Sequence, residues 1–394
     1  MPATTPQTVA APASASPRGR VIASVRQWID SGKLAHGAAL PSERDLAREL
    51  SVARVTVRSA LDQLVKHGVI EGVGTRTRRI FRAAAAARPD VLQRTVVVLS
   101  VWRQDIADPA IALKGWDTHV QLEATRALYG AGYHLLTINP MVLKPGELMG
   151  LTSQPFSSVL VTADAMRTDE TRAFLAKCRQ SRVPVVCYGG EPDLAAFDRV
   201  TSDHAQGAAL LVRHLAQRGC RRIVRFWRFA GTPHWLQQRD AGYERAAAEL
   251  GLGVLPAVRT PDLPFGEEPT QRRDPVVFEQ ITALLAGYLA PLFTGPTPPD
   301  ALMTANDLHA RQVAAACRRL HREPGRDVLI TGYDNTHADD FERAFEPAGP
   351  DATIDKCNDK LAAQLGRLLV DRLAGKLPDQ PQVRVVEPAL VGLP

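Results

Sequence analysis

From Thr95 onward the chain repeats one pattern, in which short β-branched runs alternate with amphipathic helical stretches. This alternation commits a chain to parallel sheets, because strands that run the same way need a long crossover between them, usually a helix. The spacing predicts strands at Thr95–Val101, His134–Asn139, Ser158–Val161, Val183–Tyr188, Arg222–Trp227, Ala301–Met303 and Val328–Gly332, with a last short strand at Val383–Val386. Helices are predicted near 118–129, 169–180, 205–218, 235–250, 276–289, 307–320 and 356–373. These are too many strands for one small sheet, so two lobes are the natural packing.

Open parallel sheets bind ligands at the carboxyl ends of their strands. Those positions hold Ser100 and Trp102, Asn139, Thr162 and Asp164, Gly189 and Glu191, Trp227 and Arg228, Asn306 and Asp307, and Asp334 and Asn335. Polar groups with interspersed Trp suit a sugar, whose hydroxyls need hydrogen bonds and whose ring faces pack on aromatics. Taken singly, any of these residues is better explained as ordinary loop polarity.

The N-terminal part reads differently. Val21, Val25, Trp28 and Ile29 form a helical stripe, and Gly32 is placed to end that helix. Pro41 and Ser42 open a second short helix, with Ser42 as N-cap, Asp45 completing a capping box, and Leu46 and Leu50 as its apolar stripe. Ser51-Val52-Ala53 is a turn, and a third helix then puts Val57, Ala60, Leu61 and Leu64 on one face. Its start presents Arg54, Thr56 and Arg58 away from that face, as a recognition helix does in a major groove. After His67-Gly68, Val69-Ile70 and Ile80-Phe81 flank a Gly-rich tip and read as a β-hairpin wing. Charge sorts the same way. Residues 1–82 carry 13 Lys+Arg against 6 Asp+Glu, a net +7, while the whole chain is +6. The positive charge therefore sits on this module alone, which points to a phosphate-backbone partner.

Leu40-Pro41-Ser42-Glu43-Arg44-Asp45-Leu46-Ala47, Arg54-Val55-Thr56-Val57-Arg58-Ser59-Ala60-Leu61 and Gly72-Val73-Gly74 closely resemble the winged helix-turn-helix of the GntR regulator family, over roughly residues 18 to 82. The resemblance implies that Arg44, Arg54, Thr56, Gly72 and Gly74 meet DNA. With Ser42, Arg58 and the wing residue Arg76 they make the candidate DNA-contacting set. Arg76, Arg78 and Arg79 make this wing more basic than the family pattern.

A second set of motifs keeps its order along the body: Val200 to Ala208, His214-Leu215, Gly219 to Ile223, Arg239-Asp240-Ala241-Gly242-Tyr243, Pro299 to Leu302, Ala305-Asn306-Asp307 and Gly332-Tyr333-Asp334-Asn335. This resembles the effector domain of LacI-type repressors, related to periplasmic sugar-binding proteins, over about residues 95 to 390. It implies two lobes crossed by three chain segments, a ligand cleft and a homodimer. It also implies that Arg239, Asn306 and Asp334 hold sugar hydroxyls. Trp102 joins them as a candidate from the strand-end reading. Three features depart from that family. The LacI-type hinge helix is missing, Pro256 to Asp300 has the extra Pro and charge of an insertion, and Gly189-Gly190-Glu191 stands where a polar ligand residue is usual. A GntR-type head on a LacI-type body is known among regulators of sugar catabolism.

Enzyme signatures do not emerge. There is no GxxxxGK[ST] loop and no HExxH, and Gly251-Leu252-Gly253 does not continue to a dinucleotide fingerprint. Asp203-His204 offers only adjacent residues in a strand-to-helix turn. The five Cys are scattered without a CxxC pair, as in a reducing cytosol. No secretory signal and no apolar run of membrane-spanning length are read. The expectation is therefore an α/β chain in four parts: a tail over 1–17, an α+β winged helix-turn-helix over 18–82, a linker over 83–94, and a two-lobed periplasmic-binding-protein-like domain with parallel sheets over 95–394. Its function is expected to be a cytoplasmic, homodimeric transcription regulator, most often a repressor in such architectures. It would bind a pseudo-palindromic DNA operator and a small effector, a sugar, with no membrane, metal, cofactor or catalytic residue. The rivals are a carbohydrate-processing enzyme domain on a DNA-binding head, and a plain sugar receptor.

Overall fold

The computed structural model describes residues 16–31, 33–34, 38–66, 69–73, 77–80, 91–100, 116–161, 168–263, 273–338 and 341–393. The chain divides into two compact units, Met1–Asp90 and Val91–Pro394.

In the first unit, helix α1 (Pro17–Asp30) precedes α2 (Glu43–Glu49) and α3 (Arg54–Lys66), followed by the antiparallel strands β1 (Ile70–Val73) and β2 (Thr77–Ile80). Ser42 caps α2. Its hydroxyl accepts from the Asp45 N–H at 3.2 Å and donates to Asp45 Oδ2 at 2.6 Å, so the acid closes the cap on the hydroxyl. Ser51, at φ 49, makes the tight turn between α2 and α3. Val57, Ala60, Leu61 and Leu64 of α3 pack with Val21, Val25, Leu46 and Ile70 into one small core. Gly32, His67 and Gly68, the wing tip and residues 81–90 fall outside the described residues, so of the linker expected over 83–94 only 91–94 is described, and it belongs to the second unit.

The second unit holds two six-stranded sheets. Strands β3 (Thr95–Leu99), β4 (His134–Ile138), β5 (Ser158–Val161), β6 (Val185–Tyr188), β7 (Asp198–Ser202) and β13 (Val383–Val386) form a fully parallel sheet in the order β13-β7-β6-β5-β3-β4. Strands β8 (Ile223–Trp227), β9 (Val258–Arg259), β10 (Ala301–Thr304), β11 (Leu329–Thr331), β12 (Ala352–Asp355) and β14 (Ala389–Gly392) form the other, in the order β14-β12-β11-β10-β8-β9. There only β14 runs antiparallel to its neighbour.

Each sheet is covered on both faces, which is why inner strands such as β3, β5 and β6 are buried along their whole length. In lobe one, Val96, Val98, Leu160 and Val186 face α4 (Trp116–Gly130) and α11 (Asn358–Leu373). Val97, Leu99, Val159 and Cys187 face α5 (Glu147–Gly150) and α6 (Asp169–Gln180). In lobe two, Ile223, Trp227, Met303 and Ile354 pack on α7 (His204–Gln217) and α8 (His234–Glu249). Val224, Phe226, Leu302 and Ile330 pack on α9 (Pro275–Thr294) and α10 (Asp307–Arg319).

One expectation needs correction. Helix α9 is long and apolar enough to cross a membrane by length and composition, with a mean hydropathy of 1.6 over its best window. The run was missed because Glu279 interrupts it, and Glu279 is paired with Arg319 of α10. Phe278, Ile281, Leu285, Leu289 and Phe293 bury one face of α9 in the lobe-two core, the role that gives a globular helix such a composition.

Helices α7 and α8 cross so closely that a methyl group on Gly242 would lie 2.0 Å from the backbone oxygen of Ala205. Backbone cannot retreat as a side chain can, so Gly242→Ala is expected to destabilise the second unit by about 2 kcal/mol or more. The urea unfolding midpoint of the full chain measures it; an unchanged midpoint would contradict this helix contact.

Candidate functional site

On the first unit, α3 turns a charged surface outward from its first residue. The side chains of Arg54 and Arg58 are 66% and 59% exposed, and both meet the Glu43 carboxylate of α2, at 3.5 and 3.0 Å. Arg58 also donates from Nε to both Glu43 oxygens. Its guanidinium is held charged, first by that hydrogen bond and then by the Glu43 field. Arg44 is exposed and Thr56 half-buried. Gly72 pairs with Arg78 across the hairpin. Gly74 and Arg76 lie outside the described residues. Sequence reasoning missed two residues here. Glu43 orients the two arginines, and Val55 is 79% exposed at the start of α3, where an apolar side chain can meet a thymine methyl.

In the second unit, the chain passes between lobes three times. The C-terminus of β7 leads to α7, that of β12 leads to α11, and that of β13 leads to β14. Every crossing leaves the carboxyl end of a strand, so the carboxyl edges of both sheets open on one cleft.

Three of the predicted effector residues meet there. Arg239, 4% exposed, donates from Nη1 to the carbonyl of Ala305, next to Asn306, at 2.6 Å. Its guanidinium lies 3.3 Å from the ring centroid of Tyr333, next to Asp334, and 4.5 Å from that of Trp235. Asn306 caps α10: its side-chain oxygen accepts from the His309 N–H at 2.8 Å, so its amide NH2 is the part left for a ligand. Asp334 stands at φ 87, with its carboxylate 2.9 Å from the Lys356 ammonium. The fourth, Trp102, lies outside the described residues.

The loop that carries Asp334 is fixed from below. Asp307 is fully buried, accepts from the N–H groups of Thr336 and His337 at 2.7 and 3.0 Å, and accepts from the Thr353 hydroxyl at 2.6 Å. A methyl group on Gly332 would sit 2.0 Å from Asp307 Oδ1, so only glycine admits this arrangement.

Sequence reasoning did not bring Lys356, Tyr188, Trp235 or His204 to this cluster. Lys356 is 4% exposed. Burial works against its ammonium, yet the Asp334 carboxylate keeps its pKa above the ordinary lysine value. Tyr188 ends β6 in lobe one, and its pKa is raised by burial, with Lys356, Asp334 and Arg239 within electrostatic reach. Burial pushes Tyr333 up to about 12. A methyl group on Gly190 of lobe one would lie 3.7 Å from both Gln238 and His234 of α8, so the lobes approach closely across the cleft.

Residues 17–77 match the bacterial regulatory proteins of the gntR family, and residues 212–392 match a periplasmic binding protein-like domain. The arabinose metabolism transcriptional repressor of Geobacillus stearothermophilus is 25% identical over 211 residues, 52% of this chain and 54% of that protein. The HTH-type transcriptional regulator GgaR of Escherichia coli (strain K12) is 43% identical over 61 residues, 15% of this chain and 25% of that protein. The chain thus spans about half the length of the first relative and a quarter of the second. A regulatory protein of the LacI family from Chloroflexus aggregans shares the fold with a TM-score of 0.57 and 19% identity, over 76% of this chain and 97% of that one.

His204 opens α7 at the first crossing, and burial, then Arg239, Lys356 and His234, hold its imidazole well below the usual 6.5. A histidine held neutral in the fold gains protons on unfolding. Its contribution is therefore complete above the unfolded value near 6.5 and is lost as pH falls below it. The melting temperature of the second unit is expected to fall over that acid range, and His204→Asn, which keeps an acceptor for Arg239, to flatten the slope. An identical pH profile in the variant would contradict the assignment.

The chain joins a head of the gntR family of bacterial regulatory proteins, over residues 17–77, to a periplasmic binding protein-like domain matched over residues 212–392.

Proposed function

We propose that the chain is a sugar-responsive transcriptional repressor. The head binds a pseudo-palindromic operator as one half of a cytoplasmic homodimer, and the cleft of the body binds the small effector that sets operator affinity. The observation that carries this reading is the pairing, in one chain, of an exposed arginine-bearing recognition helix with a cleft onto which two sheets open their carboxyl edges. The likeness to the arabinose metabolism repressor of Geobacillus stearothermophilus supports it. Arg44, Arg54, Arg58 and the wing arginine Arg76 supply contacts to phosphate or guanine. Thr56 contacts a base or phosphate, Ser42 lies at the start of the preceding helix, and the wing glycines Gly72 and Gly74 let the backbone approach the duplex. In the cleft, Arg239, Asn306 and Asp334, with Trp102, hold hydroxyls and a ring face. The effector acts by binding one lobe arrangement more tightly than the other.

An enzyme is the lesser reading. The titratable groups in the cleft are engaged by one another. Asp307 holds a loop, Asp334 meets Lys356, and His204 meets Arg239 at 3.4 Å, and the likeness to regulators favours a receptor.

Arg54→Ala is expected to weaken binding to a selected operator duplex by about 1 to 3 kcal/mol in a fluorescence anisotropy titration. Asp334→Ala is expected to keep operator affinity and lose the effector response. Full operator affinity in Arg54→Ala, or a normal effector response in Asp334→Ala, would overturn the corresponding role.

A further inference from the structure

Among the described residues, the cleft buries one cation, Arg239, that no carboxylate meets. Lys356 and Arg239 are each 4% exposed, and both cations sit where lobe two opens on lobe one. Asp334 meets Lys356 at 2.9 Å. Arg239 has no carboxylate partner among the described residues. Its nitrogens meet the Ala305 carbonyl and His204 Nδ1, its plane lies on Tyr333 and Trp235, and its Nε has no hydrogen-bond partner. The Tyr333 hydroxyl, on a side chain 1% exposed, is likewise unmatched. A buried guanidinium without a counter-charge is an expensive arrangement, which a ligand anion relieves. His204, whose basicity is lowered first by burial and then by Arg239 and Lys356, lies beside the same cations. Glu191 of lobe one is a further acid within electrostatic reach of Tyr188, on the opposite wall.

Resting on the reading of this cleft as the effector site, we propose that Lys356 is an effector contact and that the effector is an anionic monosaccharide. Its acid group, a carboxylate or a phosphate, lies between Lys356 and Arg239. Its hydroxyls meet Asp334, which can accept from both Lys356 and a sugar hydroxyl. Neutral sugars fill the same space and leave Arg239 uncompensated, so they bind more weakly. Because Lys356 directly follows β12 at the second crossing, the residue that reads the acid group also lies in a segment that moves when the lobes change angle.

The test is calorimetry and thermal shift on the full chain with D-glucuronate and D-galacturonate, the phosphate esters of the same two hexoses, and neutral D-glucose and D-galactose. At least one acid is expected to bind about tenfold or more tightly than its neutral parent. The carboxylate and phosphate arms separate the two sources of charge. Lys356→Gln is expected to abolish the preference and Lys356→Arg to keep it. If Lys356→Gln fails to fold, the ratio of acid to neutral affinity in the wild type and in Lys356→Arg decides. Equal binding of acid and parent, no binding of any acid, or a preference that survives in Lys356→Gln overturns the proposal. Operator affinity of the unliganded chain is measured alongside. Neutral sugars that bind and change operator affinity while acids do not would sink this inference and leave the repressor reading standing; a chain that binds no operator would sink that reading instead.

Discussion

The larger unit depends on three short segments that each leave the carboxyl end of a strand. A parallel sheet exposes its loop-bearing, ligand-accepting edge at that end. Because β7, β12 and β13 all send the chain to the other lobe from there, both sheets must turn the same edge toward the same gap. The cleft follows from connectivity before any side chain is considered. A ligand held by both walls then bears directly on the segments about which the lobes can move.

Charge is placed around that gap in two tiers. The lower tier is structural: Asp307 ties the loop from Gly332 to His337, and Asp240 gathers Arg225, Trp227 and Arg259 beneath α8 at 2.8 to 2.9 Å. These carboxylates are matched by donors, so they shape the fold and leave little capacity for a ligand. The upper tier of Arg239, Asp334, Lys356 and His204 is less completely matched. Its members lie beside aromatic faces, in the mixture of stacking surface and convergent polar groups that small polar ligands require. The helix-turn-helix head is simpler: its core residues turn inward, Val55 stays exposed at the start of α3, and Arg54 and Arg58 are aligned by the acid Glu43.

Sequence alone made much of this legible, for identifiable reasons. A strand buried on both faces is apolar throughout, so Ser158–Val161 was readable to the residue, and the Val-rich edge strand Val383–Val386 was read from its β-branched run. Strand β7 was not, because its sequence Asp-Arg-Val-Thr-Ser is polar. Its buried Asp198 is neutralised by Arg372 of α11, 2.6 Å away and 174 positions on, which no local pattern announces. Strands β12 and β14 were hidden too, since they are defined by pairing with each other across the last crossing. Lys356 went unnoticed as a direct result: it follows a strand that was not seen, so its place at a strand end was invisible. Arg239, Asn306 and Asp334 could be proposed from sequence because their motifs and strand ends are local. Their mutual approach through Ala305 and Tyr333 is a tertiary fact.

The central claim is that the cleft and the head share one equilibrium, and thermodynamic linkage tests it most directly. Effector affinity is measured by calorimetry on the free chain and on the chain saturated with operator, and operator affinity is measured with and without saturating effector. If one equilibrium joins the two sites, both affinities change, and by the same factor. Two affinities that are each indifferent to the other ligand would contradict the account.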